Sequence, residues 1–354
     1  MQLSTRQLCF IAGGLFPLTK LVLLPSVLAY HMESDLLFPA LFLFLIEGLV
    51  LFSVMHLSSK TDQTFYALVE DRFGKVFARI LFGVYGVYFL CSAILPVFEQ
   101  NLLLRSAFYD TIPSPVIFSS FAVLAGYFCM KPLRCLGRLS DVVVPISSVS
   151  LALLLVLSLG TIETDGFFPF IDFKANRLFT ASVRALPRCL DCAYPLFFLG
   201  HFKHEKGTTW KVLLSFAVGC IVVLFFLFDF YCIFSVLSPR ESSAVSKIAR
   251  YFPATATIGR IDLILTYLFS LGYVLALMIP LYLAVSCIDV CLPFRYTRLI
   301  TSAAITLGLF FLYTLLQSSL MGIDNLIGTY GFPVFLLFSF VIPSLSFFLR
   351  KTHG

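Results

Sequence analysis

Apolar runs of about 20 residues recur along this chain from one end to the other, and each is long enough to cross a hydrocarbon core about 30 Å thick. In such a medium no water is available for backbone N–H and C=O groups, so only helices or closed barrels are admissible. The runs are about twice the length of a barrel strand and therefore select helices. Charged residues make up 12% of the 354, against 59% apolar; a soluble domain carries about a quarter charged residues. No polar stretch is long enough to form a separate soluble domain. The expectation is an all-α polytopic membrane protein, one integral membrane domain over 1–354, in contact with membrane lipids.

Ten spans are predicted: 7–30, 36–57, 76–101, 115–130, 138–159, 181–202, 211–236, 261–290, 297–318 and 330–349. Residues 58–75, "SSKTDQTFYALVEDRFGK", read as a short amphipathic segment lying at the surface. The opening "MQLSTRQLCF" has a weakly basic start and no small-residue cleavage site, so no cleavable signal is expected. Loop charge sets the orientation, because Lys and Arg are enriched on the cytoplasmic side. Fifteen basic residues, among them Arg6, Lys60, Lys131, Lys203 and Arg350, fall on the side of the N-terminus. Seven fall on the other: Arg105, Lys174, Arg177, Arg240, Lys247, Arg250 and Arg260. Both termini are expected in the cytoplasm, as an even span number requires. The basic residues form no stripe, so the net charge of +6 does not point to nucleic acid.

Three ionisable residues sit near the middle of predicted spans: Lys20 in the first, Glu47 in the second and Asp191 in the sixth. A charge there costs roughly 2.5–3.5 kcal/mol on insertion scales and as a rule faces a bundle interior, where it marks a pathway or a binding site. One cation and two anions at similar depth invite pairing. Other readings stand beside this one: a neutral lysine bonded to backbone carbonyls, or a lysine that snorkels to the interface. The helices around these charges are breakable. Gly13, Gly14, Pro17 and Pro25 lie in span one; Pro187 and Pro195 flank "RCLDCAYP", which contains Asp191 and Tyr194, in span six. Interrupted helices in corresponding places of two halves point to a transporter-type binding site, with half-helix ends offering partial charges to a ligand.

Other polar residues have simpler readings. Arg184, Arg188 and Asp191 share one helical face by their i, i+4, i+7 spacing, as an anion attractor or as arginines lying among lipid headgroups. Arg138 and Asp141 are spaced for a local ion pair. Glu99, Gln100 and Asn101 close the outer end of span three, where solvent is expected, and Asp229 is a weaker buried candidate. Ser238 to Gly259 is the longest polar segment and suits a short outer helix, and 161–179 mixes aromatics and acids that suit an interfacial belt or a cover over an entrance. Most of the ten cysteines lie in apolar runs; Cys189 and Cys192 form a C-x-x-C with no second ligand pair, so packing is the better reading. His201 and His204 flank Lys203 without further ligands. No metalloprotease, hydrolase or nucleotide-loop motif is present. Neither metal nor cofactor nor enzymatic activity is expected.

Several stretches are similar to a known family. "STRQLCFI", the "LLPS" closing span one, "RFGKVFARILFGVYGVYFL", "VFEQNLLLRSAFYDTIPSPVI", "CMKPLRCLGRLSDVVVPIS" and "GRIDLILTYLF" occur in an order and spacing that resemble the spore germination permeases. These are the B subunits of nutrient germinant receptors, within the amino acid–polyamine–organocation transporters. The resemblance implies a five-plus-five inverted repeat, about 1–160 and 177–354, with broken helices one and six. It also implies a small ligand, usually an amino acid, bound between spans one, three, six and eight, and A and C receptor subunits as partners in the spore inner membrane. The chain departs from the pattern where Pro17, Leu18, Thr19 and Lys20 replace small residues; in related transporters a lysine ammonium can stand in a sodium position. Span eight has Tyr267 near the place where a tryptophan is expected, while the one tryptophan, Trp210, lies elsewhere. The candidate ligand-binding or gating residues are therefore Gly13, Gly14, Thr19, Lys20, Glu47, Asp191 and Tyr194, with Glu99, Arg188 and Tyr267 second. Two functions follow: a ligand-sensing receptor subunit, or a proton- or cation-coupled amino acid transporter.

Overall fold

Span one begins as a helix and does not finish as one. In a computed structural model describing residues 3–32, 35–108, 114–162, 175–241, 243–251, 259, 261–292, 297–316 and 332–345, α1 (Thr5–Phe10) passes into a π-helical turn at Ile11–Leu15 and then α2 (Phe16–Leu18). The chain unwinds over 19–23 and resumes as α3 (Leu24–Met32). Pro17 removes the donor that Gly13 O would use, at the π turn, and Pro25 removes the one that Leu21 O would use, within the unwound stretch. The freed carbonyls find partners on other elements: Thr19 O accepts from Tyr273 Oη at 2.8 Å, and Val22 O from Ala244 N at 3.2 Å. This is how irregular backbone becomes tolerable at membrane depth.

Spans two to five follow as α4 (Leu37–Ser58), α6 (Lys75–Ser92) with α7 (Ile94–Phe108), α8 (Ser114–Cys129) and α9 (Leu133–Ser158). Between α4 and α6 lies the expected surface helix, α5 (Phe65–Phe73). Span six breaks as span one does: α10 (Ala175–Ala185), two 3-10 turns at Leu186–Arg188 and Leu190–Ala193, then α11 (Tyr194–Phe197). The rest is α12 (Thr208–Phe234), α13 (Ala244–Arg250), α14 (Ile261–Cys291) and α15 (Thr297–Leu316). It closes with α16 (Phe332–Phe335), a π segment Leu336–Val341 and α17 (Ile342–Leu345). The outer helix expected within 238–259 is α13; most of 161–179 lies outside the described residues, as do Arg260, Arg295, Arg350 and Lys351. Among the described residues there is no β-strand, and five helical stretches are long and apolar enough to cross a membrane: α4, Lys75–Ser106, Leu133–Thr161, Thr208–Arg240 and α14.

The packing follows from where each helix turns its few polar atoms. On α4, Leu41, Leu45, Leu49 and Phe52 form an outward stripe, while Leu43, Glu47, Val50 and Val54 face the bundle. Both faces are apolar, so only Glu47 marks the inner one. Helix α14 is the most enclosed span and packs against α6, α7, α8 and α9. Ser147 Oγ and Ser150 Oγ on α9 donate to Leu268 O and Leu265 O of α14 at 3.2 and 2.7 Å, and Ser158 Oγ donates to Asp229 Oδ2 at 2.7 Å. Small hydroxyls joining helices in this way are the usual cement where lipid removes the hydrophobic drive.

At the end of the bundle that holds the N-terminus, Leu3 N donates to His201 O at 2.7 Å. Asp141 pairs with Arg6 at 3.1 Å and accepts from Gln7 Nε2 at 2.9 Å, rather than pairing with Arg138, its local neighbour. Gly200, at φ +76°, holds its Cα against Thr64, the residue that caps α5; a Cβ there would lie 2.8 Å from Thr64 N. Gly200→Ala is therefore expected to cost about 1–3 kcal/mol and to loosen α5. Faster amide exchange over 65–73 would report it, and unchanged exchange would count against this coupling.

Candidate functional site

The break in span one delivers Lys20 to the bundle interior, 1% exposed. Its ammonium faces three oxygens, which matches its three donors: Phe16 O at 3.0 Å, Asp191 Oδ2 at 3.0 Å and Glu47 Oε1 at 3.1 Å. Glu47 comes from the continuous helix α4 and Asp191 from the 3-10 turn of broken span six, so three spans meet at one nitrogen. Two carboxylates thus share one ammonium. Thr19 Oγ1 lies 3.0 Å from the same Asp191 oxygen and 2.7 Å from Phe16 O, donating to one or the other. The Cys189 thiol lies against Glu47.

Directly beside this cluster is a cavity lined by Leu15, Phe16, Thr19, Leu95, Pro96, Glu99, Pro187, Arg188, Asp191, Tyr194 and Ala276. It is small, with room for about one or two waters. Its walls come from spans one, three, six and eight. Arg188 Nε stands 3.8 Å from Glu99 Oε1, both side chains 4% exposed, and Tyr273 on α14 reaches both Thr19 O and the Glu99 carboxylate. The cavity thus presents a guanidinium, two carboxylates and two hydroxyls among small and aromatic apolar walls.

The structure brings Thr19, Lys20, Glu47, Asp191 and Tyr194 together, and adds Glu99 and Arg188 to them. It does not bring Tyr267, which is 52% exposed on the outside of α14; Tyr273 occupies the site instead. Gly13 and Gly14 stand back from the cavity, where they let span one approach α12 and α9. Two expectations need correction. Glu99, Gln100 and Asn101 are buried, because span three continues to Phe108 beyond a break at Ala93 rather than ending in solvent. Arg184, Arg188 and Asp191 do not share a helical face, because the helix has unwound by Leu186; Arg188 is buried beside Glu99, not in headgroups. Tyr273 was missed because its helix is apolar on every side and offers no phase to read.

Outside the spans, burial holds the His204 imidazole below its usual range, and its ring nitrogens meet Ser58 Oγ at 3.2 Å and Thr209 Oγ1 at 3.5 Å. Among the described residues no three His, Cys, Asp or Glu side chains converge as a metal site.

The spore permease family model, described as "Spore germination protein", matches residues 39–323, well over half of the chain. No curated protein sequence matches. Among solved structures, two point mutants of the Eremococcus coleocola manganese transporter superpose with a TM-score of 0.61 at 13% identity, covering 96% of this chain and 78% of theirs. The same transporter in complex with an aromatic bis-isothiourea substituted compound gives a TM-score of 0.61 at 14% identity with the same coverage. At such identity the likeness establishes a shared transporter fold.

Proposed function

The chain belongs to the spore germination protein family, and from that membership we propose that it is the ligand-sensing, permease-like subunit of a nutrient germinant receptor. It binds a small nutrient of the amino acid class between its broken spans and signals to A and C partner subunits in the spore inner membrane, with both termini cytoplasmic. The chain has no catalytic role in this reading, and its two repeats are 1–160 and 177–354.

The observation that carries this reading is the buried cluster of Lys20, Glu47 and Asp191, where broken spans one and six meet. A ligand ammonium competes with Lys20 for Asp191, and a ligand carboxylate competes with Glu99 for Arg188. Either exchange releases a contact that ties one span to another, so ligand binding and span rearrangement become one event. A ligand moves such an equilibrium only by its differential affinity for the two arrangements, and a cavity with room for one or two waters must widen before it holds an amino acid.

The test is dipicolinic acid release from spores lacking the gene, challenged with separate amino acids, sugars and nucleosides. Loss of response to one nutrient, restored by the wild-type gene, is expected. If every response persists in spores that also lack the other receptors of this type, the receptor reading fails. The transporter fold and a cluster of exchangeable charges favour a second reading, a proton- or cation-coupled amino acid transporter. Net uptake of a labelled amino acid by proteoliposomes would decide for it.

A further inference from the structure

A second, larger chamber of about 290 Å³ lies toward the N-terminal end of the bundle. Phe65, Phe82, Phe197 and Tyr282 are in its wall, and so are Asp289 and Arg298, one charge of each sign. With those charges it is not a lipid-filled packing defect. Three of the elements that wall the central cavity continue into it. On α14 the walls pass from Ala276 to Tyr282, about 9 Å along the axis at 1.5 Å per residue. In span six they pass from Tyr194 to Phe197, and in span three from Leu95 to Phe82. The two spaces therefore lie along the same three elements, with a layer of side chains between them.

That layer is aromatic. Tyr194 meets Phe89 at 6.0 Å between ring centroids, and Phe89 meets Phe197 at 4.9 Å. Phe197 then meets Tyr85 at 4.8 Å, Phe82 at 5.3 Å and Phe65 at 5.4 Å. Phe197 touches every ring of the layer except that of Tyr194, with which it shares the short helix α11 that follows the break in span six. Tilted and edge-on ring pairs at these separations are worth about 0.5–1.5 kcal/mol each beyond their buried area, so the layer is firm yet separable by one span's movement. Phe65, the first residue of α5, carries the contact out to the surface helix.

We propose that Phe197 is the movable centre of an aromatic partition, which divides the central site from the second chamber and opens the ligand path toward the N-terminal face when span six shifts. The inference rests on the permease-like reading of the central cavity, but its test does not require the chain to signal or to transport. Ala276→Cys places a thiol in the wall of the central cavity. The purified variant is reconstituted in vesicles, a small charged methanethiosulfonate is applied to one face at a time, and labelling at position 276 is quantified by peptide mass spectrometry. In combination with Phe197→Ala, labelling from the N-terminal face is expected to accelerate at least tenfold, with no change from the opposite face. Phe338→Ala, which removes a ring touching Tyr85 and Tyr88 but neither chamber wall, is expected to leave the rate as it was. If Phe197→Ala fails to fold, Phe197→Leu is used and a smaller rise from the same face is expected. No acceleration in a folded variant overturns the proposal. So does an equal rise from both faces, or one matched by Phe338→Ala, since either reports general loosening. Normal labelling behaviour with no germination or uptake phenotype would leave the partition standing and count against the functional reading alone.

Discussion

Spores whose only copy of this gene carries Lys20→Met are expected to insert the protein and to lose the nutrient response altogether. Methionine fills most of the lysine's volume but leaves Glu47 and Asp191 facing each other without the ammonium that both approach within about 3 Å. Removing one partner of a buried ion pair typically costs about 3–5 kcal/mol, because the remaining charge stays out of water. The purified variant should therefore unfold at a clearly lower temperature in detergent. Neutralising the acids as well, as Lys20→Met with Glu47→Gln and Asp191→Asn, should recover most of that stability, since no charge is left stranded. It should not recover the response. This divergence separates a signalling role from a structural one, because a purely structural cluster would regain function with stability. In the smaller cycle of Lys20→Met with Glu47→Gln, the double variant should be less damaged than the sum of the singles, by about 0.5–3 kcal/mol. An unaltered dose dependence in the single Lys20 variant would refute the role assigned to this lysine, and strict additivity would refute its coupling to Glu47.

The parts of this site that were readable in the sequence are those where a residue has no ordinary reason to be there. A lysine or carboxylate within 20 apolar residues has no solvent to explain it, so Lys20, Glu47 and Asp191 stood out without any knowledge of their partners. Gly13, Gly14, Pro17 and Pro187 carry backbone chemistry that acts locally, and the broken spans followed from them. What the sequence withheld is phase and long-range pairing. Glu99 passed for an end-of-helix residue because nothing local signals that α7 runs on after Ala93. Tyr273 and Tyr267 differ by less than two turns in a helix that is apolar all round, and only packing puts one at the cavity and the other at the outer surface. Asp141 has a cation three residues away and pairs with Arg6 instead, because the start of α1 folds back against α9. Sequence spacing can propose the nearer partner but has no access to the more distant one.

Gly219→Ala is expected to cause the largest loss from the smallest change, one methyl group on α12 with no polar atom involved. A Cβ at 219 would lie 2.1 Å from Gly13 O and 2.4 Å from Pro17 Cγ, so spans one and seven touch through backbone at this crossing. Neither obstacle is the far end of a flexible side chain, and one of them is the proline at which span one begins to unwind. Ser215, one turn earlier on α12, fastens the same contact by donating to Cys9 O at 2.8 Å. Span one must therefore move as a body by an ångström or more. Lys20 is three residues beyond Pro17, and its contacts to two other spans have no slack of that size. Overpacking usually costs about 1–3 kcal/mol, and a clash against backbone belongs at or above the upper end. The expected result is a lower unfolding temperature together with a weakened or absent response. Gly308→Ala supplies the comparison: it lies in α15 with nothing within 4 Å of its would-be Cβ. There a methyl group should be neutral or stabilising by up to about 1 kcal/mol through helix propensity alone. If Gly219→Ala instead matched Gly308→Ala in both stability and response, span one would not be held by this backbone contact, and the position of Lys20 would have to be explained by its ion pairs alone.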